Sequence, residues 1–158
     1  MPAEGLDWVP RDELLTFEEI ERVARLSVEQ FGIESIRITG GEPTVRARLP
    51  VLIKKLAQLP VDLSMTTNGA TLRVLSQDLV SAGLKRINIS LDSLQSERFT
   101  ELTLRDNLPQ VLDGIEAAVE SGLDPVKVNV VVMAGVNDDE VIDFARFGRE
   151  RGVIVRFI

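Results

Sequence analysis

The sequence predicts an α/β fold whose parallel strands close into a full or partial (β/α) barrel. Three observations carry that prediction. Strand-like and helix-like stretches alternate along most of the chain, which calls for a parallel sheet joined by right-handed crossovers. The strands are apolar at one set of alternating positions and polar at the other. Several strands also end in polar turns containing glycine, and that is the end at which parallel α/β proteins hold ligands.

At 158 residues, the chain suits one domain with a proper core. A formal net charge of −7 argues against a general nucleic-acid or anionic-membrane surface. No apolar run approaches the length of a membrane span and the amino end does not read as a signal peptide, so the expected location is the cytoplasm. The chain has no Cys, so it offers no disulfide, no thiolate nucleophile and no cysteine-held cluster of its own. It has no His either, which excludes a Ser-His-Asp triad and the usual zinc sites. Chemistry is left to carboxylates, Lys, Arg, hydroxyls, the backbone, or a borrowed cofactor.

Residues 1–15 show no clear periodicity and read as a surface arm with Trp8 as its one large anchor; residues 16–158 form the barrel domain. The first helix opens at Thr16, where Thr16 and Glu19 make a capping box and Leu15 can staple to Ile20. Ile20, Val23, Ala24, Val28 and Phe31 keep one apolar stripe, and Gly32 ends it. A strand over 35–39 runs into Gly40-Gly41-Glu42-Pro43. Two adjacent glycines let the backbone approach a ligand closely, Glu42 adds a carboxylate, and Pro43 stiffens the exit. The plainer reading is a tight βα turn with an incidental acid.

The second helix opens near Leu49 and Pro50 and buries Leu52, Ile53, Leu56 and Leu59. The strand over 61–67 ends in Thr66-Thr67-Asn68-Gly69. A helix over 72–82 stops at Gly83, and the strand over 86–92 ends in Ser90-Leu91-Asp92-Ser93. A short helix over 96–102 and a longer one over 108–121 follow, the latter carrying Val111, Leu112, Ile115 and Val119. A fourth strand covers 126–133. Asn137 and Glu140 then read as the cap of a helix that buries Val141, Ile142 and Ala145, and a fifth strand covers 153–158.

Doubly wound sheets are covered on both faces, so their strands read as nearly continuous apolar runs. These do not. Arg37, Thr39, Ser64, Thr66, Asn88, Ser90, Asp92, Lys127, Asn129 and Arg156 all fall on the alternate positions, and side chains alternate faces along a strand. Covering that surface with helices would bury three cations at several kcal/mol each unless they are paired. A sheet curled around a wet or ligand-filled lumen avoids the cost. The alternative is a sheet with one solvent face and no ligand. Arg37, Lys127 and Arg156 together point to an anionic ligand bearing phosphate, since Arg grips phosphate or carboxylate bidentately and Lys acts as a point charge. No Walker-type loop or G-x-G-x-x-G follows any strand.

Gly40-Gly41-Glu42-Pro43, Thr66-Thr67-Asn68-Gly69, Ser90-Leu91-Asp92-Ser93, Lys127-Val128-Asn129-Val130-Val131, Gly135-Val136-Asn137-Asp138 and Arg156-Phe157-Ile158, taken in order, resemble the MoaA family of GTP 3′,8-cyclases. These are radical S-adenosylmethionine (SAM) enzymes of molybdenum-cofactor biosynthesis. The resemblance implies a partial (β/α) barrel, SAM and a [4Fe-4S] cluster as cofactors, and GTP as substrate. It implies that Gly41 and Ser90 contact SAM, with Gly40 and Glu42 at the same turn. It implies that Arg37, Thr66 and Lys127 contact GTP, with Arg156 assisting on the same face. For Thr66 and Ser90, a hydroxyl that merely satisfies a strand end is the competing reading. The resemblance also allows a homodimer.

One departure stands out. Family members hold the cluster with three thiolates of a C-x3-C-x2-C loop, and this sequence contains none of them. The expectation is a core piece of the barrel, with the cluster loop, the first strand and the carboxyl-terminal part missing, inactive alone. The competing readings are another radical SAM branch and a truncated nucleotide-binding module without catalysis.

Overall fold

The computed structural model describes Pro10 and residues 13–158. Helices and strands alternate as α1 (Phe17–Phe31), β1 (Ser35–Ile38), α2 (Leu49–Leu56), β2 (Asp62–Thr67), α3 (Leu72–Ser81), β3 (Arg86–Ser90), α4 (Ser96–Thr103), α5 (Leu108–Glu120), β4 (Val126–Val130), α6 (Val141–Arg151) and β5 (Ile154–Phe157). The five strands are parallel and stand side by side in chain order. A doubly wound sheet reverses its strand order at a switch point, which sends helices to both faces. Here the order never reverses, so right-handed crossovers put the helices on one side and the sheet is an arc of a barrel.

The core lies between that side and the helices. Met65, Ile87, Ile89 and Val128 of the strands pack against a layer that includes Ile53, Leu72, Ile115 and Phe144, all of them buried. Each such side chain contributes about 1.5–3 kcal/mol through apolar area removed from water. Helix α5 comes close enough to the turn after β2 that a Cβ on Gly114 would stand 2.1 Å from the Gly69 carbonyl oxygen. Glycine at 114 is therefore what lets α5 seat on that turn. Outside the core, Arg73 of α3 binds Asp113 and Glu120 of α5. The hydrogen bond from Arg73 holds the Asp113 carboxyl below its ordinary range. The group is exposed, so it fixes geometry more than it adds stability.

The predicted elements are present, most with slightly shorter ends, and α4 runs one residue longer, to Thr103. Thr16 caps α1 through the full capping box with Glu19, and Gly32 closes it. The α1 stripe differs: Phe17, Ile20, Ala24 and Val28 pack, whereas Val23 and Phe31 lie on the flank and are exposed. A helix lying over β1 at the margin of the sheet meets its neighbours along a narrow strip only. Val119 of α5 is likewise partly exposed, while Ala118 takes the buried place beside Ile115. In α6, Ile142 and Ala145 face solvent, and Phe144 and Phe147 pack instead. The face of α6 that carries Gly148 is drawn onto β5, where a Cβ would meet Val155 at 2.9 Å. Of the arm expected over residues 1–15, Trp8 lies outside the described residues, and Leu14 and Leu15 are exposed.

Candidate functional site

The strand register arranges the polar side chains in ranks across the sheet. Arg37 aligns with Ser64, and Ser64 with Arg86. The next rank runs from Thr66 through Asn88 to Lys127, and the one beyond it from Ser90 through Asn129 to Arg156. In adjacent parallel strands, aligned residues point the same way, so one face carries all of them. Arg37, Lys127 and Arg156 do converge: they line a single crevice with Ser64, Arg86 and Asn88, and no helix residue enters it. The crevice encloses about 30 Å³, so the hollow is small rather than a roomy chamber, and Ser64 and Asn88 in its lining are buried.

Among the described residues, no ion pair engages Arg37, Lys127 or Arg156. Three cations that face one another without a carboxylate repel, and an anion placed among them relieves that repulsion. Beneath them, Asn88 donates from Nδ2 to the Met65 carbonyl at 3.4 Å. Asn129 Oδ1, between Ser90 and Arg156, is buried and has no hydrogen-bond partner.

Two turns border the face at the carboxyl ends of β1 and β2. Gly40 has φ +147°, which L side chains rarely adopt, and a Cβ at Gly40 or Gly41 would have no atom within 4 Å. The backbone of this turn is therefore open to approach. Glu42 spends its carboxylate internally. Its oxygens accept from the Thr44 amide at 3.1 Å, Thr44 Oγ1 at 2.6 Å, Thr67 Oγ1 at 2.7 Å and the Asn68 amide at 2.7 Å. That set ties the glycine turn to the Thr66-Thr67-Asn68-Gly69 turn across the carboxyl ends of β1 and β2.

A second tie joins the ends of β3 and β4. Asp92 Oδ1 accepts from the Val131 amide at 2.8 Å. Asn137 donates from Nδ2 to the carbonyls of Asp92 and Val131, at 2.7 and 2.9 Å, and accepts from the Met133 amide. Glu140, 1% exposed, accepts from Ser93 Oγ at 2.8 Å, the Leu94 amide at 2.7 Å and Arg98 Nη1 at 2.5 Å. Hydrogen bonds to Asp139, then Glu140, raise the pKa of Arg98. The expected cap is thus corrected: neither Asn137 nor Glu140 makes a side-chain bond to a helix amino terminus. Both are instead drawn inward to loop groups that would be buried without partners. Ser90, exposed at the end of β3, sits two residues before this tie.

Sequence reasoning missed Arg86, Asn137 and Glu140 as parts of the site's frame. Arg86 was within reach, because it shares the parity of Asn88 and Ser90. Asn137 and Glu140 carried no signal that separates a tie from a cap.

Parallel strands in unbroken order, helices behind them, and a glycine turn open at the end of the first strand define a class. The chain belongs to the radical SAM superfamily, which it matches over residues 6–148. It is 46% identical to the GTP 3′,8-cyclase of Rhodopirellula baltica and 48% identical to that of Geobacter sulfurreducens, in each case along the whole of this chain. It spans 45% and 49% of those two proteins, about half of the length of the curated relatives it matches. Among solved structures, SuiB of Streptococcus suis superposes with a TM-score of 0.73 at 24% identity, over 93% of this chain and 33% of that one. Archaeal TYW1 superposes with a TM-score of 0.66 at 16% identity, over 99% and 60%. At those identities the likeness is one of fold, and it bears out the parallel partial barrel.

Proposed function

We propose that this chain is the barrel portion of a GTP 3′,8-cyclase, with Arg37, Thr66, Lys127 and Arg156 holding GTP and Gly40, Gly41 and Ser90 receiving SAM. The observation that carries the reading is the crevice: three cations without carboxylate partners among the described residues gather on the bare face of a protein whose net charge is −7. The names of the relatives support GTP as the anion. Arg37 and Arg156 grip phosphate oxygens through paired N–H donors, Lys127 adds a point charge, and Thr66 offers a hydroxyl in the same rank as Lys127. The open backbone at Gly40 and Gly41 fits the amino-acid end of SAM. Glu42 belongs to that cofactor end by fixing the glycine turn in place.

SAM, once bound, supplies the precursor of the radical that starts the reaction. A [4Fe-4S] cluster does not fit the residues present, since the chain has no Cys and, among the described residues, no cluster of three or more His, Cys, Asp or Glu could hold a metal. The share of this chain is to bind, orient and balance charge. The same reading makes the protein a cytoplasmic enzyme working on a small molecule, without a nucleic-acid partner, and a homodimer; no helix among the described residues is long and apolar enough to cross a membrane.

A second reading, a nucleotide-binding module without catalysis, is favoured by the missing thiolates. Cleavage of SAM by the product of the whole gene, after cluster reconstitution, separates the two. Binding is tested directly by calorimetric titration with GTP. Lys127→Ala is expected to weaken binding by about tenfold or more, the worth of a charge-assisted hydrogen bond, and Lys54→Ala on the helix side to leave it unchanged. Equal affinities in both variants would remove the polar face from consideration.

A further inference from the structure

We infer that Arg86, to which neither the motifs nor the relatives give a role, is a fourth cation of the ligand site and makes it favour a polyphosphate over a monophosphate; this rests on the polar face being the nucleotide site. Arg86 is the first residue of β3 and stands in rank with Ser64 and Arg37. It lines the same crevice as Arg37, Lys127 and Arg156. Its side chain is 37% exposed, neither sunk in the core nor free in water.

Two details separate it from an ordinary surface arginine. One end of the guanidinium donates from Nη2 to the Asp62 carboxylate, which fixes the plane of the fork against the start of β2. The Nε donor is buried and has no partner. A surface ion pair kept for stability leaves its donors bonded or wet; Arg86 is instead held beside the crevice by one carboxylate while a further donor goes unsatisfied, which is rare in a folded protein. Charge points the same way. The crevice gathers four cations, and Asp62 beside Arg86 is the carboxylate that offsets one of them. A phosphate monoester brings only about two negative charges, which leaves the face positive. A longer phosphate chain brings more and so balances the face more fully.

The test is calorimetric titration of the full chain with GTP, GMP and inorganic triphosphate, in wild type, Arg86→Gln, Arg86→Lys and Lys127→Ala. Arg86→Gln is expected to weaken GTP and inorganic triphosphate by about tenfold and GMP by less than about threefold, and to flatten the salt dependence of GTP binding. Arg86→Lys keeps the charge without the fork and should fall between Gln and wild type. If Arg86→Gln binds all three ligands as wild type does while Lys127→Ala loses tenfold, the inference is overturned and the nucleotide face stands. If Lys127→Ala also has no effect, both fall together. Equal losses for GTP and GMP in Arg86→Gln overturn the preference for polyphosphate. Should Arg86→Gln fail to fold by circular dichroism, Arg86→Lys, which keeps a partner for Asp62, is judged by the same comparison of GTP with GMP.

Discussion

At Gly40 the backbone turns with φ +147°, although nothing stands within 4 Å of where a Cβ would be. Gly40→Ala therefore isolates conformational strain from crowding, and should cost about 1–3 kcal/mol in urea denaturation. An unchanged midpoint would mean that the turn relaxes to another conformation. Two positions on, Glu42 shows a different use of a side chain: four hydrogen bonds make it a clasp between loops. The sequence reading placed Glu42 at the glycine turn as a cofactor-side acid, but spacing alone could not show that its carboxylate oxygens point to Thr44, Thr67 and Asn68. Arg37, Lys127 and Arg156 were legible because a cation set between apolar neighbours on a strand has one face to occupy. Asn137 and Glu140 were not. An Asn followed three residues later by Glu has the spacing of a cap, and only the fold brings Ser93 and Arg98 within reach.

Between elements, Glu140 is the joint on which the loops after β3 and β4 depend. Removing its carboxylate leaves the Leu94 amide without its acceptor and takes one partner each from Ser93 Oγ and Arg98, which keep Gln95 and Asp139. Glu140→Ala is expected to destabilise by about 1–3 kcal/mol, the cost of leaving a buried polar group unsatisfied, with Glu140→Gln losing less because it retains an acceptor oxygen. Chemical denaturation of both variants checks this; equal midpoints for the two would show that the packing of the side chain matters and its bonds do not. Helix faces were less legible than helix positions. The stripes of α1 and α6 were each misread by a few residues, because periodicity finds an apolar band but not which flank of it the neighbours cover. For α6 the deciding fact is the contact of Gly148 with β5, which no local pattern encodes.

For the molecule as a whole, the order β1-β2-β3-β4-β5 leaves β1 and β5 each with a single neighbour in the sheet among the described residues. The β5 margin also shows Ile154, Phe157 and Ile158 to solvent. Unpaired edge groups beside exposed apolar side chains favour strand-to-strand association. The chain on its own should elute earlier from a sizing column as concentration rises, and Ile154→Lys should reduce the shift; a size independent of concentration in both would contradict the expectation. Parallel pairing and the one-sided helix layer were readable from alternation along the strands. The small size of the hollow was not, since the curvature of a sheet depends on how strands tilt against one another rather than on which residues they carry. The separation of the two faces reaches further than binding. Residues that hold the fold together sit behind the strands, and those proposed to meet a ligand sit in front, so exchanging a front-face side chain sacrifices almost no apolar burial. A scaffold divided in this way can be retuned toward new chemistry one position at a time while its stability stays nearly untouched.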